Sequence, residues 1–246
     1  MHDELWFTAL LNHAFAGPVN ALLQSLPPVF HPANPEAPIT NAVAMEVLVV
    51  AFLILLFLAI RSTLKVDKPG WLQHLAEMFH EFITDQSQQI IGEHSEKFTP
   101  FLLSLFVFIL ISNLIGLIPG FESPTADPTV PLGCAMVAFV YYNLHGIKAL
   151  GLWNFAKHFA GPVWWLSPLL LPIEIISTLA RVMSLTIRLY ANIFAGDAVT
   201  LAFFTLIPIG IPVIFLLLHV AVSLLQAYIF TLLTTIYLQG VVVHEH

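Results

Sequence analysis

"WWLSPLLLPIEIISTLARVMSLTIRLYANIFAGDAVTLAFFTLIP", residues 164–208, is too long for an upright membrane crossing. At ~1.5 Å per residue it far exceeds a ~30 Å hydrocarbon core. The next stretch, "GIPVIFLLLHVAVSLLQAYIFTLLTTIYLQGVVV" (210–243), has the same excess, and Pro208, Gly210 and Pro212 lie at the junction. The pair reads as a C-terminal helical hairpin, 163–208 and 210–243. Its helices are strongly tilted or bent, or the first splits near Pro172 or Gly196.

Working outward, the same apolar character covers the chain. Of 246 residues 58% are hydrophobic and 9% charged, against roughly 25% charged in a soluble domain. That excludes a water-facing surface and predicts an all-α integral membrane protein forming one membrane domain over 1–246, since lipid leaves each span to satisfy its own backbone. Three earlier spans are expected at 42–60, 99–120 and 129–147, making about five membrane helices. Residues 70–93 place Leu72, Leu75, Phe79, Phe82 and Ile83 at helical spacing, with His74, Glu77, Glu81 and Asp85 elsewhere. This is an amphipathic helix lying on the cytoplasmic membrane face. Residues 1–40 form an external segment, an interfacial helix followed by the proline-rich "PPVFHPANPEAP" (27–38). With no Lys or Arg before Arg61, that segment has no charged n-region of a signal peptide.

Basic residues set the orientation. Arg61, Lys65, Lys68 and Lys97 lie between the first two spans, and Lys148 and Lys157 follow the third. The N-terminal segment and the loop "FESPTADPT" (121–129) have none. The positive-inside rule puts the N-terminus outside and, after five crossings, the C-terminus in the cytoplasm. The single cysteine, Cys134, excludes an intramolecular disulfide and reads as a small buried hydrophobe.

Against this background four charges stand out in 163–208: Glu174, Arg181, Arg188 and Asp197. An Arg at the bilayer centre costs roughly 2.5 kcal/mol on insertion scales. Arg181 reads as snorkelling toward a helix end. Arg188 has apolar sequence extending well beyond it on both sides and reads as functional. At about 100° per residue, Glu174, Ser177, Arg181, Ser184, Arg188 and Asn192 share one face, while Asp197 points to the opposite one. The second arm carries His219, Ser223, Gln226 and Tyr237. His219 is either a packed, hydrogen-bonded group or a proton relay. Ser112 and Asn113 are the polar residues of the second span, with helix–helix hydrogen bonding as their plain role. Two polar tracks divided by a permanent cation suit ion movement, because a partner's carboxylate passing the guanidinium would be deprotonated there.

Arg188, Leu189, Asn192, Ala195 and Gly196 followed by an acid, then His219 with "QAYIF" seven residues on, resemble subunit a of the F-type ATP synthase. The resemblance extends to "KFTPFLLSLFVFILISNLIGLIPG" (97–120) and covers nearly the whole chain. It implies a proton-channel stator subunit in a bacterial inner membrane, with no catalytic site or cofactor of its own. It implies as partners a rotating c-subunit ring, b-type peripheral stalk subunits and the other synthase subunits, besides lipid and the translocated proton. It further implies that Arg188 faces the ring and that Asn192, Asp197, His219 and Gln226 line an outside half-channel. Glu174 and Ser177 then lie on the cytoplasmic exit, and Asn113 is the polar residue of the second span. The chain departs from the family at Asp197, where glutamate is usual, at Ala191 in place of a common glycine, and at Gly116, often an acid. The loop 125–131 also departs, with Glu122 or Asp127 as substitutes for the missing acid.

Two other classes fit the residues: a stand-alone proton or ion transporter, and an intramembrane enzyme using Glu174, Asp197 and His219. No phosphate-binding glycine loop, nucleic-acid motif or metal-spaced Cys/His cluster is present. "HEH" (244–246) reads as a solvated tail.

Overall fold

The computed structural model describes residues 5–25, 27, 34, 37–65, 70–92, 95–118, 120–151, 167–206 and 210–242. The expected loop at 28–33 and 35–36, Lys68, Lys157, the hairpin residues 207–209 and the tail 243–246 lie outside them. Among the described residues there are seven α-helices and no strand. They are α1 (Trp6–Gln24), α2 (Asn41–Thr63), α3 (Trp71–Ile91), α4 (Thr99–Leu114), α5 (Thr129–Leu150), α6 (Ser167–Leu206) and α7 (Ile211–Val242). Five of the helices are long and apolar enough to cross a membrane, namely α2 and α4 to α7. The protein is an all-α integral membrane protein.

Local chemistry explains the boundaries. Thr40 caps α2, its side chain accepting the Val43 amide at 3.4 Å, which satisfies a backbone donor left free at a helix start. Asn12 of α1 grips Ile39 with a fork: Nδ2 donates to the Ile39 carbonyl at 3.1 Å and Oδ1 accepts its amide at 3.0 Å. The N-terminal helix is thereby stapled to the entry of α2. α5 stops at Gly151, whose φ of 74° suits the residue that ends a helix.

The second span differs from expectation. Helix α4 ends at Leu114, followed by a single 3₁₀ turn Ile115–Leu117, so it does not continue to residue 120. Gly116 lies in that turn, and Gly120 adopts a φ of 90° that no branched side chain tolerates. A Cβ on Gly116 would lie 2.8 Å from Cβ and 2.9 Å from the amide nitrogen of Ser123. The following loop therefore folds back against the bare backbone of Gly116.

The amphipathic helix α3 also differs in detail. Its apolar residues divide between two faces. Phe79, Ile83 and Ile91 join the core, with the Phe79 and Phe82 rings 5.7 Å and 6.4 Å from that of Phe106. Gln86 donates to the Tyr228 hydroxyl at 2.7 Å. Trp71, Leu75 and Met78 remain exposed. α3 is docked on α4 and α7 by one face, and a second apolar edge is left for lipid.

α6 runs 40 residues without a break, about 60 Å at 1.5 Å per residue. Neither Pro172 nor Gly196 splits it. Pro172 lies in the opening turns, where the loss of one backbone bond is tolerated in a membrane helix. α7 adds 32 residues beyond Gly210, whose φ is 90°. The hairpin buries Leu185, Leu189 and Ile193 of α6 against Ala227, Phe230 and Leu238 of α7, with Leu102, Phe106 and Ile109 of α4 behind. Thr231, Thr234 and Thr235 on the buried face of α7 each donate to the carbonyl four residues back at 2.9 Å, so their hydroxyls enter the core already paired. α4 is the pillar, with 44% of its most apolar stretch buried, against 18% for α6. A wide face of α6 is open to whatever lies beside it.

Phe106 is 1% exposed and holds both α3 rings. Phe106→Ala is expected to cost about 3 kcal/mol, seen as a lower unfolding midpoint in detergent, and Phe106→Leu less. An unchanged midpoint for the alanine variant would contradict this packing.

Candidate functional site

The hairpin brings the sequence-marked residues into two groups. In the first, Asp197 of α6 meets His219 of α7, with Oδ1 3.6 Å from Nδ1. His219 is buried, and Asp197 keeps 40% of its side chain exposed. Counting along the helices from Gly210 leaves an offset of about four residues, or ~6 Å of rise. The side chains close that gap. Gly196 makes the approach possible, because a Cβ there would lie 2.9 Å from the imidazole Nδ1. The glycine serves close packing between helices.

One helical turn deeper, Asn192 Nδ2 donates to Gln226 Oε1 at 2.9 Å. Gln226 is fully buried and Asn192 is exposed on the far side, so this bond joins the interior of α7 to the open face of α6. Asn113 of α4 donates to the Ser223 carbonyl at 3.4 Å and accepts from Thr125 Oγ1 at 2.7 Å. Asn192, Asp197, His219, Gln226 and Asn113 thus belong to one polar seam through α4, α6 and α7. Ser112 Oγ, Ser223 Oγ and His219 Nε2 are buried and have no protein partner among the described residues. Buried polar atoms of that kind are ordinarily served by water. The seam has the chemistry of a hydrated path.

The second group lies toward the start of α6. Glu174 Oε1 is 3.7 Å from Arg181 Nη2, and the Arg181 guanidinium sits 5.4 Å over the Tyr237 ring of α7. Arg181 therefore does not snorkel free: it is paired with a carboxylate and stacked on an aromatic face. Ser177 lies half-exposed one turn beyond Glu174.

Arg188 stands between the groups, 14 residues (~21 Å) past Glu174 and nine (~13 Å) before Asp197. It is half-exposed, and its Nη2 donates to Ser184 Oγ at 3.4 Å, a neutral partner on its own helix. Among the described residues no carboxylate lies within ion-pair distance of it. A permanent cation is thus presented, half-exposed, on the flank of α6.

Sequence reasoning undervalued the loop 121–127. Ser123 and Thr125 are buried, and Ser123 Oγ donates to the Ser112 carbonyl at 2.8 Å. The signal was present in a run of small hydroxyls beside Gly116 and Gly120. Asp127 is occupied locally, its Oδ1 accepting from the Thr129 amide at 2.9 Å and hydroxyl at 2.6 Å. Among the described residues no His/Cys/Asp/Glu group could hold a metal ion.

Asp197→Asn is expected to slow passive proton conduction by about tenfold or more, and Asp197→Glu to be tolerated across the 3.6 Å gap. His219→Glu alone should conduct worse than His219→Glu combined with Asp197→His, which restores one acid and one imidazole. Equal conduction by those two at matched expression would show that the residues do not exchange roles.

Residues 43–239 match the family model described as ATP synthase A chain. The chain is 55% identical over 248 residues to ATP synthase subunit a of Koribacter versatilis, covering 100% of both chains. It is 50% identical over 213 residues to ATP synthase subunit a of Solibacter usitatus, covering 86% of this chain and 91% of the relative. With ATP synthase subunit a of Trichlorobacter lovleyi it shares 40% identity over 206 residues, 84% of this chain and 89% of the relative. With that likeness running the length of the hairpin, the chain belongs to the family of ATP synthase subunit a.

Proposed function

We propose that this chain is the proton-conducting stator subunit of an F-type ATP synthase and that it works through two offset half-channels. The observation that carries the reading is Arg188, a guanidinium with no carboxylate within ion-pair distance among the described residues, set between two polar groups. Its complement is a carboxylate on another protein. A ring of c subunits turning past the open face of α6 supplies one carboxylate after another.

In this reading the Asn192–Asp197–His219–Gln226 seam, with Asn113, opens to the outside. A proton moves along it by exchange between the Asp197 carboxylate and the His219 imidazole, which sit close enough to share it through a small shift or one bridging water. It neutralises a ring carboxylate, which can then turn into lipid. On the opposite approach, the protonated carboxyl reaches the cytoplasmic side, where Glu174 and Ser177 line the exit. Arg188 stabilises the charged carboxylate between the two events and blocks a proton from crossing directly, since one cation repels another. Rotation is then the way through, and proton flow couples to ATP synthesis in the rest of the complex.

The length of α6 and α7 supports the same reading. Helices this much longer than a bilayer suit a steep tilt that lets one continuous face follow a curved ring. The peripheral stalk holds this subunit still through b-type subunits. The setting is the inner membrane of a bacterium, with the N-terminus outside and the C-terminus in the cytoplasm, an orientation that the basic loops favour.

Arg188→Ala is expected to abolish ATP-driven proton pumping in inverted vesicles while the subunit still inserts and assembles. Pumping equal to wild type would overturn the proposal. Arg181→Ala should retain substantial activity, because a half-exposed ion pair such as Glu174–Arg181 contributes about 0–1 kcal/mol.

Accessibility gives a second test. In a Cys134→Ser background, single cysteines at Asn192, His219 or Gln226 should react with polar thiol reagents mainly from outside. Cysteines at Glu174 or Ser177 should react mainly from the cytoplasm. One shared pattern across all five would mean a continuous pore.

A further inference from the structure

We infer that Glu174, Tyr237 and Tyr142 form a clamp that withdraws the charge of Arg181 from the face it shares with Arg188, leaving Arg188 as the cation that a passing carboxylate meets; the inference rests on the rotating-ring reading above.

Two arginines on one flank of α6 are a hazard to that mechanism. They are seven residues apart on an unbroken helix, so they lie ~10 Å apart along its axis and within about 20° around it. A nearby cation favours the charged form of a carboxyl. A free guanidinium at 181 would therefore hold a ring carboxylate on the cytoplasmic side of Arg188, one station early.

The structure takes Arg181 out of that role in two ways. Its Nη2 reaches Glu174 Oε1 at 3.7 Å across two helical turns. Glu174 lies toward the start of α6 and Arg188 toward its end, so a side chain that makes this contact extends away from Arg188. The guanidinium also sits 5.4 Å over the Tyr237 ring, where the π system attracts a cation.

The ion pair alone would not hold the side chain there. Arg181 and Glu174 keep 37% and 40% of their side chains exposed, and exposed pairs restrain long side chains weakly. What fixes the arrangement is anchored in the core. Tyr237 is half-buried, its ring 5.9 Å from that of Tyr142 on α5. Tyr142 is 4% exposed and meets the Phe139 ring edge to face at 5.5 Å. Order passes outward from α5 through α7 to Arg181. The ionisable groups set around that guanidinium are Glu174 of its own helix, Tyr237 of α7 and, behind the Tyr237 ring, Tyr142 of α5.

The test is ATP-driven proton pumping by the assembled complex in inverted vesicles, across a range of pH on the cytoplasmic side. Tyr237→Leu should pump about threefold more slowly at neutral pH. Its profile should be displaced toward acid, because a carboxylate held by a freed Arg181 needs a higher proton concentration to be discharged. Tyr237→Phe keeps the ring and should restore most of the rate. Tyr237→Leu combined with Arg181→Ala should recover most of the rate and the wild-type profile, since the stray charge is gone. Glu174→Gln, which leaves the aromatic core intact, should be relieved by Arg181→Ala in the same way. Wild-type pumping by Tyr237→Leu would overturn the inference, as would deficits that Arg181→Ala relieves in neither background. A wild-type complex that pumps no protons would overturn the rotating-ring reading itself, and is distinguishable from either result.

Discussion

A guanidinium cannot shed its proton to enter lipid, and an apolar helix gives it little else to hold. Arg188 sits midway along α6 and, among the described residues, has only the Ser184 hydroxyl as a hydrogen-bond partner. The contrast with Arg181 on the same helix is instructive: Arg181 has Glu174 for its charge and Tyr237 for its face. One arginine is paired with a carboxylate of its own helix and the other, among the described residues, only with a hydroxyl. A charge held so costs roughly 2.5 kcal/mol at the bilayer centre on insertion scales, and it lies on the flank of a long helix much of whose surface is exposed.

The rest of the hairpin holds the polar seam together beyond that charge. Gly196 lets α7 bring His219 to Asp197, while the Asn192–Gln226 bond stitches the helices one turn closer to Arg188. Leu185, Leu189 and Ile193, on the opposite side of α6 from its open face, close into the core between them. Polar residues therefore alternate with packed apolar ones along a single interface. A path of water and exchangeable groups can coexist there with a dry, rigid scaffold.

Much of the architecture was legible because a membrane restricts the choices. Once the charge deficit excluded a soluble domain, each long apolar run had to be a helix, and the excess length of 163–208 and 210–243 required a hairpin of unusual helices. What escaped were features set by tertiary contact. The end of α4 at Leu114 follows from a loop seated on Gly116, which no hydropathy profile contains. Arg181 was read as snorkelling, although Glu174 lies two turns away on the same face and the two pair in the structure. α3 was read with one apolar face, whereas Phe79 and Ile83 turn to the protein and Trp71 and Leu75 do not. Within the site, the closeness of Asp197 and His219 was estimated from helical rise. The part played by Ser123 and Thr125 was not, because hydrogen bonds between a loop and a distant helix leave no periodic trace.

The central claim is that this chain contains two half-paths and no whole one, so that protons cross only when a partner carries them past Arg188. The direct measurement is proton flux into liposomes under a potassium diffusion potential, with the purified chain alone and with the chain co-reconstituted with its ring. The chain alone should conduct no faster than empty liposomes, and addition of the ring should open the flux. Sustained proton flux through the chain alone would contradict the account.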